Sequence, residues 1–172
     1  GPAATSPYTV NKDGHGPAWA NSLFEDNAEH GFGMFLGQEA IRNRLISKVS
    51  DIKDSDKAPA DVKAACEEYL ATLEEGEANK AATAKLVSAL ENFKCDCEPR
   101  KDILSNKEFL SKKSVWVFGG DGWAYDIGFG GVDHVLAQNH DINIMVFDTA
   151  VYSNPGGQAS KAYNKGPVAQ FA

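Results

Sequence analysis

Apolar positions recur at three different spacings along this 172-residue chain. Residues 1–37 are rich in Gly, Pro, Asn and aromatics and show little periodicity. Ser6-Pro7-Tyr8, Asp13-Gly14-His15-Gly16-Pro17 and His30-Gly31-Phe32-Gly33 read as turn chemistry, with a short helix expected from Ala18 to Glu29. Over 38–110 the spacing becomes helical. Ile41, Leu45, Ile46 and Val49 share one face, and Pro59 suits the first turn of a second helix. In that helix Val62, Ala65, Cys66, Tyr69, Leu70 and Leu73 recur at helical intervals. Gly76 interrupts the pattern, and Ala82, Leu86, Ala89, Leu90 and Phe93 form the next face. These two helices predict an αα-hairpin with short connections. Their stripes read most simply as core, with a partner-binding groove as the alternative.

After Lys112-Lys113 the period shortens. Val115, Trp116, Val117 and Phe118 form a β-rich run that ends in Gly119-Gly120, and Ile142 to Phe147 forms a second one. Between them Ile127 to Gln138 predicts a helix despite its three glycines. Strand, helix and strand in this order make a βαβ unit, by default right-handed with parallel strands. The near-continuous apolar strands predict a sheet covered on both faces. The fold class expected is α/β: a partial doubly wound parallel sheet with an inserted helical hairpin. Residues 1–172 form one domain, or most of one, with a helical segment at 38–110 and the βαβ motif at 114–160.

Parallel strands end at the same edge of the sheet, which is where open α/β sheets bind ligands. Asp121 follows the first strand and Asp148-Thr149 the second, so Asp121 and Thr149 are expected side by side. A Mg²⁺ ion takes hard oxygen ligands, typically one or two carboxylates with phosphate oxygens. Asp121 offers a carboxylate, Thr149 a hydroxyl and Val151 a main-chain carbonyl, while Gly122 and the helix start beyond it offer N–H groups to an anion. On its own, Gly119-Gly120-Asp121-Gly122 also reads as a plain turn. The polar, glycine-rich loop Thr149-Ala150-Val151-Tyr152-Ser153-Asn154-Pro155-Gly156-Gly157-Gln158 favours the diphosphate site. Neither a dinucleotide fingerprint nor a Walker loop is present.

Composition narrows the alternatives without changing that picture. A net charge of -7, with the acidic residues dispersed, argues against nucleic-acid or anionic-membrane surfaces. No window is long and apolar enough to span a membrane. Gly1-Pro2 is the pair a tag-cleaving protease leaves behind, so the start says nothing of localisation. Cys95 and Cys97 are spaced more tightly than zinc or iron–sulfur loops require, and with Cys66 they read as reduced thiols of a cytosol-like compartment. His15, His30, His134 and His140 are scattered, with no spaced partner.

Two stretches carry a family resemblance. Gly120-Asp121-Gly122-Trp123-Ala124-Tyr125-Asp126-Ile127-Gly128, with Asp148-Thr149 and Val151-Tyr152-Ser153-Asn154, closely resembles the thiamine-diphosphate domain of pyruvate:ferredoxin oxidoreductases. Ser6-Pro7-Tyr8-Thr9 and Gly16-Pro17-Ala18-Trp19-Ala20-Asn21-Ser22-Leu23-Phe24-Glu25-Asp26-Asn27 resemble the same family. The resemblance implies a thiamine-diphosphate-binding fold with Mg²⁺ held by Asp121, Thr149 and Val151. It places Gly120, Gly122, Trp123, Tyr152 and Asn154 at the cofactor, with Asn154 beside the thiazolium and substrate as the catalytic residue. Ala150 stands where the family has a glutamate and Pro155 where it has a threonine. For the parent enzyme the resemblance implies oxidative decarboxylation of pyruvate with coenzyme A to acetyl-CoA and CO₂. Electrons leave through 4Fe-4S clusters that this chain does not ligate, toward ferredoxin, flavodoxin or a fused flavin reductase. A homodimeric parent, in the cytoplasm or an anaerobic mitochondrion-related organelle, is also implied. The chain would be a piece that needs the remaining domains for turnover. A related 2-oxoacid oxidoreductase and a non-catalytic interaction module are the alternatives.

Overall fold

The computed structural model describes residues 12, 14, 22, 25–153, 156–164 and 166. The early motif residues 6–9, 16–21 and 23–24 and the pair Asn154-Pro155 lie outside the described residues. The chain divides into two compact units, Gly1–Phe35 with Val115–Ala172, and Leu36–Ser114.

The Leu36–Ser114 unit is helical. It holds the later turns of α1 (Asn27–Asp54), then α2 (Ala60–Ala71), α3 (Gly76–Asn92) and α4 (Glu98–Ser105). Pro59 is the extended residue before α2, and Gly76 opens α3. Leu45, Val49, Val62, Cys66, Tyr69, Leu86, Leu90 and Ile103 are buried together, so the expected stripes are core. Buried polar groups around Arg42 and Asn79 are paired, whereas Thr83 Oγ1 on α3 is buried without a partner. Arg42 donates to the Leu73 carbonyl at 2.7 Å, the Leu110 carbonyl at 3.1 Å and Asn79 Oδ1 at 3.3 Å. Asn79, wholly buried, also accepts the Lys112 N–H at 2.8 Å. One guanidinium thus serves carbonyls where the chain leaves its helices, and the Leu110 carbonyl also accepts the Tyr69 hydroxyl at 2.9 Å.

The cysteines correct one expectation. Cys95 and Cys97 are joined in a disulfide, where three reduced thiols were expected; Cys66 is free and buried. The turn before α4 brings the two Cα atoms to 5.3 Å, within bridging range.

The other unit carries the βαβ motif. β1 (Trp116–Gly120) and β2 (Asn143–Phe147) are parallel, in register from Trp116↔Asn143 to Gly120↔Phe147. They are linked through α5 (Phe129–Ala137), which follows a π-helical turn at Trp123–Ile127. β3 (Val151–Tyr152) and β4 (Gln158–Ala159) form a small antiparallel pair. The architecture is mixed helix and strand with a small parallel sheet.

Two expectations fail here. His30-Gly31-Phe32-Gly33 is no turn: α1 runs straight through it. A Cβ on Gly31 would stand 2.5 Å from Val117 Cγ2, so this glycine lets the helix lie close on β1, a role local sequence does not display. Nor is the sheet covered on both faces among the described residues. Val117 is buried, but on the other face Trp116, Phe118, Met145 and Phe147 are 50%, 50%, 42% and 56% exposed. Trp116, Phe118 and Phe147 stack in a row with centroids 6.0 Å apart. The apolar runs are real, but two strands bring helices to only one side of them.

Candidate functional site

Because Gly120 and Phe147 are register partners, the residues after them emerge together at the carboxyl edge. Asp121 enters a helical turn directly after β1 and is fully buried. Its Oδ1 accepts the Thr149 N–H and lies 3.0 Å from the Thr149 hydroxyl, across 28 residues of sequence. Its Oδ2 accepts the hydroxyl of Ser160, itself buried. Burial pushes the Asp121 carboxyl up. The hydrogen bonds from Ser160 and Thr149 outweigh that push and hold it below the ordinary carboxylate range. Asp121 is therefore an anion fixed in one orientation.

Thr149 is the hub of the second loop. Its hydroxyl lies 3.1 Å from the Val151 carbonyl oxygen and 2.7 Å from Ser153 Oγ as well as against Asp121, and its single proton serves one acceptor at a time. Between Thr149 and Val151 the backbone takes an unusual path. Ala150 has φ 63°, in the left-handed region that non-glycine residues rarely adopt. Its N–H donates to Asp148 Oδ1 at 3.0 Å, which holds the turn. That reversal turns the Thr149 hydroxyl and the Val151 carbonyl toward the same point.

The flanking side chains lock this loop to the first turn. A Cβ on Gly122 would meet the Tyr152 ring at 2.6 Å, so the ring lies flush on the glycine. Asp126, in the π-helical turn, accepts the Lys161 N–H at 3.1 Å and the Tyr152 phenol. Burial, and then the Asp126 charge and hydrogen bond, raise the Tyr152 phenol above its ordinary value. The Trp123 ring packs on Gly119 and Gly128, and its Nε1 donates to the Glu25 carbonyl at 3.1 Å. Gly120 is exposed at the end of β1, with open space where a Cβ would be.

The structure thus brings together Asp121, Gly122, Thr149, Val151 and Tyr152. Trp123 is a packing residue beside them, and Asn154 lies outside the described residues. Ser160 and Asp126 were not among the expected residues. Ser160 sits beyond a hairpin, and no spacing rule reaches it. Asp126 lies inside the resembling motif, where five residues from Asp121 marked it as a second carboxylate on the same turn.

Chemically, the site offers one oriented carboxylate, two hydroxyls and a carbonyl, all hard oxygens suited to Mg²⁺ rather than to a soft metal. Among the described residues no three of His, Cys, Asp and Glu gather as a metal site. A cation here would need further oxygens from a ligand. His134 is exposed, His140 packs against Phe32 and Phe35, and His30 has a buried Nε2 without a hydrogen-bond partner. No helix among the described residues is long and apolar enough to cross a membrane.

No family model matches the chain. Individual relatives do. A pyruvate-flavodoxin oxidoreductase from Klebsiella pneumoniae is 46% identical over 172 residues, covering 99% of this chain and 14% of that protein. A pyruvate:ferredoxin oxidoreductase from Moorella thermoacetica is 47% identical, covering 100% of this chain and 15% of its own length. A mitochondrial pyruvate dehydrogenase [NADP(+)] from Euglena gracilis is 40% identical, covering 100% and 10%. The chain spans about one seventh of the length of the first two relatives.

Proposed function

The chain belongs to the pyruvate:ferredoxin (flavodoxin) oxidoreductase family, of which it covers one segment, and from that premise we propose that it holds the Mg²⁺-diphosphate half of a thiamine diphosphate site. The observation that carries this reading is the convergence of Asp121, Thr149 and the Val151 carbonyl at one sheet edge. The oxygen set fits the ion: Asp121 supplies charge, Thr149 and Val151 neutral oxygens, and diphosphate oxygens would complete the octahedron. The small parallel sheet with its ligand loops at the carboxyl edge supports reading this unit as part of a doubly wound thiamine-diphosphate fold, whose remaining segments would cover the exposed face.

In this reading the segment anchors and orients; it moves no proton. Asp121 stays ionised because Ser160 and Thr149 donate to it, so its charge is available to a cation throughout the neutral range. The left-handed Ala150 keeps Thr149 and Val151 facing that charge. Asn154, by its place in the motif, would reach the substrate end. When bound, thiamine diphosphate supplies the electron sink that decarboxylation of a 2-oxoacid requires. Fixing the diphosphate end restricts the reacting end to a small arc, which is the entropic part of catalysis.

For the whole protein we infer oxidation of pyruvate with coenzyme A, electrons passing to ferredoxin or flavodoxin through clusters held elsewhere. The Euglena relative, named for NADP(+), favours acceptor choice being set outside this segment. The test is a calorimetric titration of thiamine diphosphate into the chain with Mg²⁺, with EDTA, and on Asp121→Ala. Binding that requires both Mg²⁺ and Asp121 is expected. Binding indifferent to both would overturn the assignment.

A further inference from the structure

The helical unit carries a second chemical feature, remote in sequence from the metal-type loop. Cys95 and Cys97 lie in the connection between α3 and α4, bonded to each other and each half-buried. Both line a cavity of about 540 Å³ with Asp51, Lys57, Phe93 and Pro99. Cys97 is the residue immediately before α4, its carbonyl accepting the Lys101 N–H at 3.2 Å. The Cys95 carbonyl accepts from Arg100 at 3.5 Å. Asp96, between the two cysteines, is ion-paired with Lys101 at 2.5 Å.

Three features separate this pair from a structural crosslink. The loop it closes contains a single intervening residue, so it removes less of the unfolded chain's freedom than a crosslink over a long loop would. Both cysteines line a cavity at the margin of the core, whose wall Ile52 and Ala58 share. Cys97 stands at the amino end of an eight-residue helix, where the backbone N–H groups favour a thiolate. Asp51 and Asp96 bring negative charge to the same wall, but Asp96 is neutralised by Lys101, and Lys57 lines the same cavity. Cys66 in the same unit is the contrast: it is fully buried, and burial pushes its thiol up to about 11.

We propose that Cys95 and Cys97 form a reversible dithiol–disulfide site, reduced by a dithiol that reaches the sulfurs through this cavity. A thiolate of the reductant attacks the Cys95 sulfur, the Cys95–Cys97 bond breaks, and Cys97 leaves as the thiolate favoured by the start of α4. Cys97 then takes up a proton. The second thiol of the reductant, on losing its proton, attacks its own sulfur in the mixed disulfide and releases Cys95, which is protonated in turn. Two electrons and two protons pass to the chain, and the reductant becomes a disulfide. Because Cys97 is also the residue from which α4 starts, the redox state acts directly on how that helix begins.

The experiment equilibrates the chain across a series of reduced-to-oxidised dithiothreitol ratios, traps thiols by alkylation, and locates them by intact mass and peptide mapping. Cys95 and Cys97 are expected to gain label together, in one two-electron transition, with Cys66 unlabelled throughout the native series. Labels on Cys95 and Cys97 at every ratio, or transitions of the two at different ratios, would overturn the site. So would a bridge to Cys66. Single variants test the direction of attack: Cys97 in Cys95→Ser is expected to alkylate about tenfold faster than Cys95 in Cys97→Ser. Equal rates would sink the assignment of Cys97 as leaving group.

Discussion

The Ser160 hydroxyl donates to Oδ2 of Asp121, 39 residues earlier, while Thr149 occupies Oδ1. Both oxygens of one buried carboxylate are thereby satisfied from two different segments, which makes the anion tolerable away from water. Ser160→Ala removes one donor and leaves that oxygen unpaired. A loss of about 1.5–3 kcal/mol in unfolding free energy is expected at neutral pH, the range for a buried hydrogen bond to a charged group. Urea unfolding of the two chains measures it, and an unchanged midpoint would show that the hydroxyl contributes nothing.

The same contact sets a pH dependence. Asp121 is held below its unfolded value, so its contribution to stability is complete above about pH 4 and is lost as the pH falls through the lower folded value. In Ser160→Ala the carboxyl keeps the burial that raises it but loses a donor that lowers it. The acid limb of its stability profile is therefore expected at higher pH than in the parent chain. Urea midpoints taken from neutral pH down to about pH 2 would locate both limbs. Coincident limbs would refute the account of how Asp121 stays ionised.

Ala150 stores strain at the centre of the loop. Its left-handed φ of 63° costs about 1 kcal/mol for a residue with a Cβ and nothing for glycine. Ala150→Gly is expected to recover part of that, offset by a more flexible unfolded chain, and to leave Mg²⁺-dependent ligand binding intact. Ala150→Val is expected to destabilise by more than 1 kcal/mol and to weaken binding, because a branched side chain pushes the backbone out of this region. Thermal melts and the calorimetric titration read both effects. A valine tolerated without loss would mean that the turn is not strained.

Gly31→Ala sets helix propensity against packing. Alanine is favoured over glycine in a helix by about 1 kcal/mol, but here its Cβ would stand 2.5 Å from Val117 Cγ2. Net destabilisation of about 1–3 kcal/mol is expected, the usual range for overpacking. Adding Val117→Ala should reverse most of the clash. If Gly31→Ala stabilised the chain, α1 would not lie as closely on β1 as described.

The purified chain is expected not to convert pyruvate and coenzyme A to acetyl-CoA, even with Mg²⁺, thiamine diphosphate and an electron acceptor. In the function proposed above the site would bind and orient, and among the described residues it holds no group placed to move electrons. Sustained acetyl-CoA formation, followed by chromatography, would contradict that.

Short-range order was legible from residue types alone. Helical spacing of Leu45, Val49, Val62, Cys66, Leu86 and Leu90 announced the helical core, because a helix displays its buried face in its own periodicity. Two apolar runs joined by a helix announced the parallel pair, and from it the meeting of Asp121 with Thr149, because crossover geometry leaves few alternatives. Tertiary structure alone decided the rest. Gly31 belongs to a helix because of what lies opposite it, Val117, and its neighbours along the chain say only that glycines make turns. Ser160 reaches Asp121 only after β3 and β4 fold back, and a lone serine after a glycine-rich loop carries no mark of that. Among the described residues the sheet has one open face, because covering a face takes packing segments from elsewhere, whereas alternation within a strand records only what a strand prefers. The sequence determined elements and their order through local preference; partners distant along the chain are set by packing, which residue spacing does not encode.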